Sequence, residues 1–248
     1  MRAKAVMLAV AAVCVAVVLG YQLTRPARAT SDPRVFVPSS KAFGVLPESL
    51  RVTLADAYWL YGVQYYGQHL KTDNRFDSLA GLFDVVTGLS PHFKQAYFTG
   101  ALAAIDANRP DYGYKLLQRG FTANPSDWHF PSYLGFFVSV YGSDKALAAR
   151  TAADWYIRAS KLPGAPRWTA SIAATLLAKG GARKAAVLQW GQIYASGDKY
   201  AKEKAVKGLE QVLPTEKQAR MKALAPLVGT MSTEELDALI AELFKGYS

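Results

Sequence analysis

The sequence predicts an all-α fold, an α-solenoid built from successive helix pairs. Three observations predict it. Apolar residues recur at three- and four-residue steps, with no sustained period-two alternation. Helix breakers arrive at intervals that suit helices of about 12 to 18 residues. Several buried-type positions recur 34 residues further along the chain. The chain has 248 residues, enough for a substantial core in one or two domains. It is 51% hydrophobic, which excludes a disordered chain.

The elements follow in order. Residues 1–23 read as a signal anchor or signal peptide: Arg2 and Lys4 precede an apolar run from Ala5 to Gly20, extendable to Leu23, and Arg25 and Arg28 follow it. Ala27-Arg28-Ala29 offers a cleavage site. Cys14, the single cysteine, sits inside the apolar run without a lipid-attachment context. Residues 24–47 read as an extended linker, because Pro26, Pro33, Pro38 and Pro47 alternate with serines.

Helices are predicted near 48–70, 76–89, 93–107, 111–123, 129–141, 145–161, 166–179, 183–195, 199–212, 215–228 and 233–246. Glu48 follows Pro47 and suits a first turn. Leu79, Leu82, Phe83, Val86 and Leu89 make an apolar stripe before Ser90-Pro91. Asn108-Arg109-Pro110, Asn124-Pro125 and Tyr141-Gly142-Ser143 end the next three helices. Leu162-Pro163-Gly164, Lys179-Gly180-Gly181 and Ser196-Gly197 end the three after that. The helix at 199–212 is polar, with Lys199, Lys202, Lys204 and Lys207. Ser232 and Glu235 form a capping box ahead of Leu236, Leu239, Ile240, Leu243 and Phe244.

The repeat is legible residue by residue. Leu79, Phe83, Val86 and Pro91 recur 34 residues later as Gly113, Leu117, Gly120 and Pro125. Ala152, Tyr156 and Ala159 recur at the same interval as Ala186, Trp190 and Ile193. Between the two sets the register slips by five residues, which a longer loop near Gly142 absorbs.

Helix pairs at this period resemble the tetratricopeptide repeat. Leu134-Gly135 and Val138 fit its first helix; Ala152, Tyr156 and Ala159 fit its second. The resemblance covers residues 48–197 and implies a right-handed solenoid that holds a partner in its groove, with 198–248 as a helical cap. The strings AYWLYGVQYYG (57–67), FDVVTGLSP (83–91), NPSDW (124–128), YLGF (133–136) and LPGAP (162–166) look like bacterial repeat proteins of this family that carry an N-terminal membrane segment. That likeness implies a single-pass inner-membrane protein with its repeats in the periplasm, or a soluble periplasmic one if cleaved near Ala29.

No residue set points to catalysis. Glu48-Ser49 matches the Glu-Ser of lytic transglycosylases, exported all-helical enzymes, yet Glu48 is the only glutamate before Glu203. Asp56, Asp77, Asp84, Asp106 and Asp154 read as solvated faces or pairing partners. His69, His92 and His129 lack ligand spacing, so no metal is expected. Lys179-Gly-Gly-Ala-Arg183 lacks P-loop spacing, and no cofactor is expected.

The candidate partner-binding residues are Tyr58, Tyr61 and Tyr65, which share one side of the first long helix and whose default reading is core packing, with Lys94 and Arg119 as cations that suit an acidic partner. Arg51, Lys115, Arg150 and Arg158 add to an acidic-partner preference. The expected function is a non-catalytic scaffold or assembly factor of an envelope complex, binding protein partners. The alternatives are a cell-wall enzyme of transglycosylase type and a soluble periplasmic module for an acidic ligand. The net charge of +10 invites a nucleic-acid reading. Without Arg2, Lys4, Arg25 and Arg28 the balance is 25 basic to 19 acidic residues, and export argues against nucleic acid.

Overall fold

The computed structural model describes residues 37–38, 43–196, 198–213, 232, 234, 235, 238 and 242. All belong to one compact unit that begins at Val37. The predicted anchor or signal peptide at 1–23, most of the predicted linker, the helix predicted at 215–228 and most of that predicted at 233–246 lie outside the described residues. Among the described residues every regular element is α-helical.

The helices are α1 (Glu48–Lys71), α2 (Leu79–Leu89), α3 (Lys94–Asp106), α4 (Pro110–Ala123), α5 (His129–Tyr141), α6 (Lys145–Ser160), α7 (Trp168–Lys179), α8 (Arg183–Ser196) and α9 (Lys199–Val212). Their ends sit where the breakers put them. Pro110 opens α4, where its missing N–H costs nothing. Asn108, just before it, takes a positive φ of 53° and so turns the chain out of α3. Asp144 caps α6 by accepting from the backbone N–H groups of Ala146 and Leu147, both at 3.0 Å. Asp198 caps α9 by accepting from Ala201 N–H at 2.9 Å. At 232–235 the capping box is formed: Ser232 N–H donates to Glu235 Oε2 at 2.7 Å, and Glu235 N–H donates to Ser232 Oγ at 3.3 Å.

Each helix packs on the one before it and the one after it in the chain; α1 also touches α3, and α7 touches α9. The 34-residue pattern marks the contact surface. Leu79, Phe83, Val86 and Leu117 are buried, as are Ala152, Tyr156, Ala159, Ala186, Trp190 and Ile193. Small residues set the closeness of these contacts. A Cβ on Gly113 would stand 2.7 Å from Cε1 of Phe137 and 2.9 Å from the Ala101 carbonyl oxygen, so α4 approaches α3 and α5 only because that atom is missing. At the C-terminal end Trp190, Val187, Ala205, Leu209 and Leu213 join one apolar cluster that ties α8 to α9.

Val37, before α1, lies over Gly81 of α2: a Cβ on that glycine would stand 2.9 Å from Val37 Cγ1. Phe43 meets the ring of Tyr58 at 6.2 Å. The segment leading into α1 thus rests on the first helix pair at these two points.

Candidate functional site

The stripe Ala55, Gly62, Tyr65 and His69 is the buried side of α1. A Cβ on Gly62 would be 3.8 Å from both Leu82 and Phe83 of α2, in ordinary contact with that neighbour. Tyr58 and Tyr65 lie on this covered side. Tyr65 is 5% exposed; its hydroxyl donates to the Arg75 carbonyl at 3.4 Å and accepts from Ser78 N–H at 3.3 Å. Its ring packs on His69 at 4.2 Å. Tyr58 is half-buried beneath Phe43. Tyr61, at the margin of the stripe, is 41% exposed. Of the three tyrosines, therefore, Tyr61 alone presents an exposed ring, and Tyr65 secures the α1–α2 turn.

The two cations are engaged within the fold. Lys94 Nζ pairs with Asp127 Oδ2 at 2.8 Å. Arg119 pairs with Asp84. The second pair joins α4 to α2, and the Tyr112 hydroxyl completes it, 2.8 Å from the Ala80 carbonyl oxygen and 3.1 Å from Asp84 Oδ1. Burial, and then the Asp84 charge, push the Tyr112 phenol far above its ordinary pKa. Asp127 also accepts from His129, whose Nδ1 lies 2.7 Å from Oδ1. Tyr66 donates to Asp106, linking α1 to α3.

Such links between helix pairs were not foreseen singly. A signal for them exists: Asp84 and Arg119 stand 35 residues apart, and Arg167 and Asp198 stand 31 apart. Opposite charges at about one repeat length are the pattern to search for.

The surface left over has a marked distribution. Exposed large apolar side chains fall mainly on the odd-numbered helices: Leu60 and Tyr61 on α1, Leu102 on α3, Phe136 and Val140 on α5, and Trp168 on α7. Helices α2 and α4 expose none among the described residues, while α6 and α8 expose Leu147 and Leu188. Aromatic contacts run between the odd helices. Phe98 stacks on Tyr133 at 5.0 Å, Trp59 meets Phe93 at 5.3 Å, and Trp128 meets Trp168 edge-on at 5.7 Å.

Chemistry-bearing groups are dispersed. Glu48 is exposed at the start of α1. His69 Nδ1 lies 2.6 Å from Asp73 Oδ1, and His92 Nδ1 lies 3.4 Å from Asn124 Oδ1. Among the described residues no cluster of His, Cys, Asp and Glu is grouped to hold a metal ion. A cavity of about 250 Å³ lies between the α6–α7 loop and α8, lined by Ser160, Pro166, Arg167, Thr169, Gln189 and Gln192. Its hydroxyls are already spent: Thr169 donates to the Pro166 carbonyl at 2.7 Å, and Ser160 donates to that of Ile157 at 2.8 Å.

No protein-family model matches the chain, and no curated protein matches it. Among the described residues no helix is long and apolar enough to cross a membrane; the apolar run at Ala5–Leu23 lies outside them.

Proposed function

We propose that the chain is a non-catalytic protein-binding scaffold or assembly factor of a bacterial envelope complex. In this reading α1–α8 are four helix pairs of a right-handed tetratricopeptide-like solenoid, held at the inner membrane through residues 1–23 with the repeats in the periplasm. Chain-neighbour packing with small residues at the helix contacts supports the solenoid.

One observation carries the binding reading. Leu102 on α3 and Phe136 on α5 are separated by one 34-residue repeat, and both are exposed, at 43% and 38%. Exposed apolar groups that repeat on alternate helices form a row, and a row suits an extended or helical protein segment better than a small ligand. Tyr61 on α1 and Trp168 on α7 are further exposed aromatic groups on the odd-numbered helices.

Crosslinking and pull-down from membranes tests this, comparing wild type with Leu102→Arg/Phe136→Arg. Loss of a specific partner with helicity retained is expected. Unchanged recovery rejects the odd-helix face as the binding surface. Peptidoglycan cleavage by the wild type that Glu48→Gln abolishes would overturn the non-catalytic reading.

A further inference from the structure

Positive charge is concentrated at one end of the described chain. Residues 43–142 carry 7 Lys and Arg against 8 Asp and Glu, whereas residues 143–213 carry 12 against 5. Pairing sharpens the contrast. Arg75, Lys94 and Arg119 in the first part each meet a carboxylate. In the second part Arg167 meets Asp198, while Arg150, Lys179, Arg183 and Lys184 have no carboxylate within ion-pair reach among the described residues.

These four meet around one turn. Arg150 Nη1, from α6, donates to the Gly180 carbonyl at 3.0 Å. Lys179 precedes that glycine, and Arg183 and Lys184 open α8. No acidic residue stands in the first turn of α8, so the positive end of the helix dipole adds to the cations. Exposed apolar groups stand near them: Leu147 one turn before Arg150 and Leu188 one turn after Lys184.

We propose that this end of the protein docks on an anionic phospholipid bilayer. Its Lys and Arg side chains meet headgroup phosphates, and Leu147 and Leu188 enter the interfacial layer. Lysines make up 8 of the 12 cations in 143–213. Lysine is a mobile point charge that tolerates a fluid headgroup layer and is depleted from protein–protein interfaces, where arginine is preferred. That composition favours a bilayer over an acidic protein. The proposal goes beyond the scaffold reading and does not depend on the odd-helix face.

The test uses the full chain with Cys14→Ser and an environment-sensitive fluorophore on Leu188→Cys. The protein is mixed with vesicles of phosphatidylcholine, either alone or containing phosphatidylglycerol. A second probe on Leu102→Cys reports α3, away from the cations. The probe on α8 should shift to the blue only with phosphatidylglycerol, and the probe on α3 should not. The shift should vanish in about 0.5 M salt, where screening acts within about 4 Å.

Lys179→Gln/Arg183→Gln/Lys184→Gln should weaken the vesicle response about 100-fold, at about fivefold per cation removed. All three side chains are exposed, so retained helicity will separate this effect from unfolding. An equal shift on phosphatidylcholine alone would overturn the proposal. So would a shift with polyglutamate and none with phosphatidylglycerol vesicles, which would assign the patch to an acidic protein.

Discussion

Gly120 and Phe130 meet so closely between α4 and α5 that a methyl group on Gly120 would stand 2.2 Å from Cε1 of Phe130. Tyr97 of α3 closes the other side, with Cγ at 2.8 Å from the same point, and its ring meets that of Phe130 edge-on at 5.7 Å. Three helices converge on one missing side chain. Phe130 is fully buried and has no room to withdraw.

Gly120→Ala should therefore destabilise the fold by about 1 to 3 kcal/mol, the usual cost of overpacking. Gly67 is the control, since a Cβ there has nothing within 4 Å. Gly67→Ala, inside α1, should stabilise by about 0.5 to 1 kcal/mol through helix propensity. Urea denaturation of both variants checks the pair. Equal effects would mean that the α4–α5 contact is looser than described.

Removing the Asp144 cap should fray α6. Its carboxylate satisfies two backbone N–H groups in the first turn. Asp144→Ala should cost about 1 kcal/mol, and Asp144→Asn much less. Hydrogen exchange at Ala146 and Leu147 will show the loss locally.

Alkaline stability should depend on Tyr66. Burial, then the hydrogen bond to Asp106 and its charge, push the phenol up to about 12 from 10.0. The folded state thus binds this proton more tightly than the unfolded chain. The stabilisation is complete below pH 10 and is lost as pH rises from 10 through about 12. Tyr66→Phe should flatten that part of the stability curve and, at neutral pH, lose the hydrogen bond to Asp106, at about 1 kcal/mol. Denaturant midpoints across this range will show it; an unaltered slope would remove Tyr66 from the account.

Asp127 has the opposite sign. Burial alone would raise its pKa, but hydrogen bonds from Lys94 and His129 outweigh burial and hold the carboxyl below its ordinary value of 3.8. Its contribution is present above the unfolded value and is lost as pH falls through the depressed folded one. Asp127→Asn should lose stability at neutral pH and show a shallower decline below pH 4. Melting temperatures between pH 2 and 6 will separate the variants; parallel curves would show that Asp127 is not linked to folding.

Much of the fold is legible in local chemistry. Pro110, Asn108, Asp144 and the Ser232–Glu235 box act on their own turn of chain, so spacing and residue type suffice to place them. The nine described helices fall within a few residues of the predicted spans. Within the helices the 34-residue recurrence falls on buried positions, Leu79 with Gly113, Phe83 with Leu117 and Val86 with Gly120, whereas Pro91 and Pro125, which end helices, are exposed.

The surface is a different matter. Helical period places Tyr58, Tyr61 and Tyr65 on one side of α1, but it does not say that α2 and its turn cover that side, burying Tyr65 and leaving Tyr61 exposed. Nor does it show that Lys94 and Arg119 spend their charge on Asp127 and Asp84, or that Arg150 turns to Gly180. The helices and their ends are legible in the amino-acid sequence, since they depend on groups a few residues apart. Which side chains remain available emerges only on folding, since exposure and charge pairing depend on groups 30 or more residues away, as with Asp84 and Arg119 or Lys94 and Asp127.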